Sequence, residues 1–222
     1  MTAGFWRQVM AVVERDLVRE RRTGDVLWVT IPFGAIALLL IPLAVGTDAL
    51  LLSQIGPGMY WVIVMLFGVL VAVGKASSET LPQQDAAALA GLDPAAGFVG
   101  RSTSATMLLL AFEVVVGVVA VGLYNLTLIG IPWLIVTLVI VAVGLALLGT
   151  LTGAIVNSTS AGTALVPLLV APLSVPLLLG ATQAYDGLRF GHSILSWVLL
   201  MAAVVLIVAM IGVLTARPLQ ET

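Results

Sequence analysis

Long apolar stretches divide the chain, separated by short polar ones. About 20 mostly apolar residues let a helix cross a bilayer. Six windows meet that measure, near residues 26–46, 55–74, 103–124, 129–153, 162–183 and 194–215. The fourth and sixth run almost uninterrupted. The fifth includes LLVAPLSVPLLLGATQA, residues 168–184, with Pro172 and Pro176 inside it and Pro167 just before. Proline lacks a backbone donor and pushes its ring into the preceding turn, which in water would break a helix. In lipid a neighbouring helix or a hydroxyl can cover the freed carbonyl, and Ser174 lies between the two prolines. Their spacing of four puts both on nearly one side, so the fifth span is expected to bend there, with the kinks adding.

A different helix is expected ahead of the first window. At 100° per residue, Phe5, Trp6, Val9, Met10, Val13 and Leu17 fall on one broad face, with Arg7, Gln8, Arg15 and Arg22 opposite. Asp16 and Glu20 intrude on the apolar side. A basic amphipathic helix of this kind is expected to lie in the membrane interface, with Phe5 and Trp6 in the lipid and Arg19, Arg21 and Arg22 beside anionic headgroups. Between the windows, 47–54, 125–128 and 184–193 are short, leaving no room for a further domain on that side. The longest hydrophilic segment is 75–102, whose alanine-rich middle, Gln83 to Leu92, predicts two or three helical turns with Asp93-Pro94 as their stop.

Charge sets the orientation. With six spans, one side carries Arg7, Arg15, Arg19, Arg21, Arg22, Lys75, Arg101 and Arg217, and the other only Arg189. Lysine and arginine gather on the cytoplasmic side of short loops, so both termini are expected in the cytoplasm. The domain plan is then an interfacial helix over 1–25, a six-span unit over 26–215 and a short tail over 216–222. Composition agrees: 61% of the 222 residues are hydrophobic, 9% are charged and mean hydropathy is +1.19, against roughly 25% charged in soluble domains. The net charge of −2 supplies no global basic field, so no nucleic-acid partner is expected. No small-residue cleavage pattern follows a short apolar core, so the first window is expected to stay as a span.

Catalytic chemistry is sparse. There is no cysteine, one histidine and no GxxxxGK[ST] phosphate loop. The chain is therefore expected to be non-catalytic and to bind no cofactor or metal of its own; ATP, if used, comes with a partner. His192 lies at the outer end of the sixth span, with no second histidine or cysteine to complete an iron-ligand pair. Met201 and Met210 share its helix and read as filler. Glu113 sits in the middle of the third span, where a charge costs at least about 2.5–3.5 kcal/mol. It is expected to be neutral, paired or facing a wet cavity, with hydroxyls such as Thr137 and Thr150, or a helix terminus, as partners.

Three stretches together resemble the haem exporter protein B (CcmB) family. In ERDLVRERRTGDVLWVTIPFGAIALLLIPLAVG, an RDL and an arginine cluster precede a span with Pro32-Phe33 and Pro42-Leu43-Ala44. In IGPGMYWVIVML, Pro57-Gly58 and Trp61 open the second span. In the fifth, Pro172-Leu173, Pro176 and Gly180 fit the family's "LPLyvPvLifG" pattern. The order of motifs, the span count and the length cover the whole chain.

The resemblance implies an all-α membrane protein of type-2 ABC exporter permease architecture in the bacterial plasma membrane, serving haem handling for c-type cytochrome biogenesis. Its implied partners are an ABC ATPase subunit, a second copy of the chain, a tryptophan-rich haem-handling membrane subunit and a haem chaperone, with haem as cargo. It also implies that 75–102 docks on the ATPase, with Glu79, Leu89, Leu92, Pro94 and Arg101 at the coupling positions. The segment departs from the family where an acidic, glycine-containing stretch is replaced by SSETLPQQ, and IVNSTSAG lacks the usual basic residues. Two alternatives stay open at this point. One is a type-2 permease for a lipid, drug or polysaccharide; the other is a scaffold or secondary transporter that uses no nucleotide.

Overall fold

A computed structural model describes residues 2–78, 91–158 and 165–216. Among them the regular structure is helical: α1 (Thr2–Thr23), α2 (Ile31–Val45), α3 (Ala49–Ser78), α4 (Pro94–Tyr124), α5 (Ile131–Ser158), α6 (Leu165–Phe190) and α7 (Leu195–Thr215), with a π-helical turn at Asp25–Thr30 joining α1 to α2. Six stretches are long and apolar enough to cross a membrane: Trp28–Val45, Ala49–Val71, Pro94–Tyr124, Ile131–Val156, Leu165–Phe190 and Leu195–Thr215. Each expected window falls on one of them.

The ends differ from the expected ones, for local reasons. Helix α3 starts six residues before its window because Asp48 caps it, its Oδ1 accepting from the Leu50 amide at 2.8 Å. Helix α4 starts at Pro94, inside the segment expected as loop. Asp93 is extended and its carboxylate accepts from the Ala95 amide at 3.0 Å, while Pro94 takes the first turn, where its missing N–H has no helical partner to lose. The Asp-Pro pair thus starts a helix. The helical turns expected over Gln83 to Leu92 lie largely outside the described residues; Gly91 forms a turn at φ +73°. Helix α6 runs on to Phe190 and absorbs most of the expected outer loop 184–193.

The core lies where α3, α4, α5 and α6 meet, around Val64, Phe67, Phe112, Val116, Val141, Leu145 and Leu177. Helices α2 and α7 are the most outward-facing, with few inward residues apart from Gly34, Leu38 and Pro42 on one and Val198, Met201 and Gly212 on the other. Leu177 of α6 seats against Gly144 of α5, where an added Cβ would lie 2.5 Å from its Cδ1. Small residues let helices approach closely in lipid, where tail contacts are no worse than leucine contacts.

Two prolines inside spans have their freed carbonyls answered from elsewhere. Pro42 cannot donate to the carbonyl four residues back, Leu38, and the Tyr124 hydroxyl donates to that oxygen at 2.8 Å. Pro57 likewise frees the Ser53 carbonyl, which accepts from Arg189 Nη1 at 3.0 Å. The fifth span behaves otherwise. Helix α6 continues through Pro172 and Pro176, and Ser174 donates to Ala171 O at 2.8 Å. That carbonyl is not one that either proline frees, so the expected help from Ser174 is corrected: its hydroxyl bonds back to its own turn, as serine in a helix commonly does.

Candidate functional site

The helix ends divide the polar groups between two ends of the bundle. One end holds α1, the C-terminal ends of α3, α5 and α7 and the starts of α4 and α6; the other holds the turns at 46–48, 125–130 and 191–194.

At the first end α1 lies along the beginning of α4. Val9, Val12 and Val13 are buried, and Val9 and Val13 pack with Ala96. Gly100 permits this approach, since a Cβ there would stand 2.7 Å from Val12 Cβ. Asp16 and Glu20, which look misplaced on an apolar face, point to protein. Asp16 Oδ2 accepts from the Ser104 hydroxyl at 2.9 Å, its Oδ1 lies 3.1 Å from Arg15 Nη2, and Glu20 is buried. Gln8, expected on the opposite face with the arginines, bonds twice to the segment entering α4. Its Nε2 donates to Gly91 O at 3.2 Å and its Oε1 accepts from the Asp93 amide at 3.1 Å. These polar ties were not found from the sequence, although the two acids on the apolar face were the available signal.

Of the expected coupling residues, Glu79 and Leu89 lie outside the described residues. Leu92, Pro94 and Arg101 come together around the first turns of α4, with Leu92 Cδ2 and Arg101 Nη2 flanking Gly97. Of the expected interface residues, Phe5 is half-buried and packs on the Val9 cluster, edge-on to Trp6 at 5.6 Å. Trp6 and Met10 are 59% and 66% exposed, and Arg19, Arg21 and Arg22 are exposed as well. The broad apolar face therefore has two uses. Its valines meet α4, and its Trp6–Met10 edge stays outside the protein.

Glu113 is fully buried in α4, and neither carboxyl oxygen has a hydrogen-bond partner among the described residues. The Tyr60 hydroxyl reaches across from α3 but donates to the main-chain oxygen of Glu113, at 3.0 Å. Thr137 and Thr150 are not its partners, a correction to the expectation. Their hydroxyls donate to Trp133 O at 2.9 Å and Ala146 O at 2.7 Å in their own helix. A threonine one turn beyond an available carbonyl satisfies itself locally.

The opposite end is knit across spans. Besides the Arg189–Ser53 bond, the Tyr185 hydroxyl donates to Thr127 O at 3.3 Å, and Leu188 covers Gly130. His192 sits in an exposed turn with its ring 6.5 Å from that of Phe190. Met201 is buried against Gly180, and Met210 faces outward. Among the described residues, no three His, Asp or Glu side chains gather as a metal site would require. What the arrangement offers is mechanical: one end is tied span to span, and the other presents a segment anchored to both α1 and α4.

Comparison with known proteins places this architecture. A family model described as "CcmB protein" matches residues 7–218, from within α1 to beyond α7. Heme exporter protein B of Paracoccus denitrificans (strain Pd 1222) is 28% identical over 199 residues, covering 88% of this chain and 90% of that protein.

Proposed function

The chain belongs to the CcmB protein family, and from that premise we propose that it is the permease subunit of an ATP-driven complex that handles or exports haem for c-type cytochrome biogenesis. The observation that carries this reading is the extent of the family match, which takes in all six apolar helices and most of α1. In this reading the chain performs no bond chemistry. Two copies pair in the type-2 ABC exporter arrangement, an ATPase subunit hydrolyses ATP, and the motion serves loading or release of a haem chaperone at the outer face. A tryptophan-rich membrane subunit supplies the haem ligands that a chain with one histidine and no cysteine is ill-equipped to offer.

The lysine and arginine distribution supports placing both termini and the 75–102 segment in the bacterial cytoplasm. The ATPase docks on that segment, using Glu79, Leu89, Leu92, Pro94 and Arg101. Trp6, Arg21 and the neighbouring arginines hold α1 against anionic lipid. Pro172 and Pro176 bend the fifth span. Glu113 sits at an α3–α4 contact able to open during the cycle.

Purification of the tagged chain in mild detergent tests the reading. A Walker-motif ATPase and a tryptophan-rich membrane protein are expected with it. The ATPase without the haem-handling protein would point to another exported substrate, and neither would point to a scaffold that needs no nucleotide.

A further inference from the structure

The polar ties at the α1–α4 contact connect two parts of the chain that the sequence separates widely. Gln8 lies 83 residues from Gly91 and 85 from Asp93, and its single amide group both donates to the one and accepts from the other. A side-chain amide bonded through both its ends to backbone is fixed in position and fixes its partners in turn. Asp93 is itself the cap of α4 through its contact with Ala95. Two turns further along α1, Asp16 accepts from Ser104 of α4, and between these points Val12 sits on Gly100.

The far end of α1 is equally taut. Gly24, at φ +69°, turns the chain without a break in hydrogen bonding: its N–H donates to Glu20 O at 2.7 Å, and its carbonyl accepts from Trp28 at 2.8 Å. The positive φ there is a conformation that glycine adopts without steric cost. From the segment before α4, through Gln8, along α1 and round Gly24 into the first span, the path is hydrogen-bonded or packed at each step.

We propose that Gln8 is a positioning residue for coupling: it binds α1 to the end of the cytoplasmic segment, so that α1 and the start of α4 move as one unit and carry displacement of that segment into the first span. The proposal rests on the reading that an ATPase docks on this segment. Without Gln8, docking and hydrolysis persist while the first span no longer follows. Gln8 touches no cargo; it acts through Gly91 and Asp93.

The test uses the whole complex in its own membrane. Gln8→Leu keeps much of the side-chain size and loses both bonds; Gln8→Glu keeps the acceptor for Asp93 and loses the donor to Gly91. With Gln8→Leu, the ATPase co-purifies and hydrolyses ATP as in wild type, while holo-cytochrome c formed falls about fivefold or more, the scale set by losing one or two hydrogen bonds. Gln8→Glu gives an intermediate yield. A wild-type yield from Gln8→Leu overturns the proposal.

Should Gln8→Leu fail to accumulate, a cross-link gives a second measurement. The chain has no native cysteine, and Val12→Cys with Gly100→Cys places two thiols at a close α1–α4 approach, needing a small outward shift to reach disulfide spacing. Oxidised and reduced forms of that one variant turn over equally if α1 and α4 move together. Arrest on oxidation, reversed by dithiothreitol, shows that they must part and overturns the proposal. If no ATPase accompanies even the wild-type chain, it is the functional reading that fails; if it does and Gln8→Leu matches wild type, only the role of Gln8 fails.

Discussion

Tyr124 and Leu38 show how a single atom can decide whether a proline is tolerated in a span. The Leu38 carbonyl has lost its helical donor to Pro42 and takes the Tyr124 hydroxyl instead, with both residues fully buried. Tyr124→Phe is expected to destabilise the folded chain by about 1–2 kcal/mol, the cost of a buried acceptor left without a partner. In a Pro42→Ala background the helix regains its own donor, so the same substitution costs less; thermal unfolding of the four variants in detergent reads this coupling. A strictly additive cycle would mean that the two residues act separately. Glu113 presents the opposite case, because its carboxyl is buried with no bond to lose among the described residues. Glu113→Leu is expected to raise thermal stability, by up to about 1–3 kcal/mol, and Glu113→Gln to change it little. If Glu113→Leu is instead less stable, the carboxyl has a partner in the folded chain. If it is more stable yet fails in haem handling, the residue serves motion at the expense of packing.

At the level of the helices, the six spans were legible because about twenty apolar residues can do little else in this solvent. Their ends were harder to place. Asp48 and Asp93 cap helices that begin before the apolar run does, and the polar TQAYDGLRF extension of α6 has no hydropathy signal at all. Also hidden was the division of α1 into an inner and an outer edge. Helical periodicity identifies an apolar face, but does not say whether protein or lipid meets it. Asp16 was the informative departure, since a carboxylate on an apolar face needs a donor, and Ser104 provides one. Arg189 could be counted from sequence as the one basic residue on its side, but its link to Pro57 required the fold. Because its guanidinium joins α6 to the Ser53 carbonyl of α3, Arg189→Met should loosen that end and speed hydrogen exchange in the first turns of α3. Arg189→Lys, which keeps a donor, should do so less. Unchanged exchange in Arg189→Met would show that the contact holds nothing.

Seen whole, the molecule is asymmetric between its two ends. Interspan bonds close the end with the short turns, while the other is organised around α1 and the segment entering α4. The proposed permease role would use that arrangement, with one surface that is pushed and spans that respond. The distribution of lysine and arginine predicts that reporters fused at either terminus are cytoplasmic; a periplasmic signal from either would invert the scheme. In the proposed reading, membership of the CcmB family, with its match across all six spans, ties that motion to haem handling. That assignment is tested most directly by the haem-staining content of c-type cytochromes in a strain lacking this chain. The account predicts that covalently bound haem is lost while apocytochrome is still made, and that it returns when the wild-type chain is supplied. Holo-cytochromes c at normal levels in the deletion strain would contradict it.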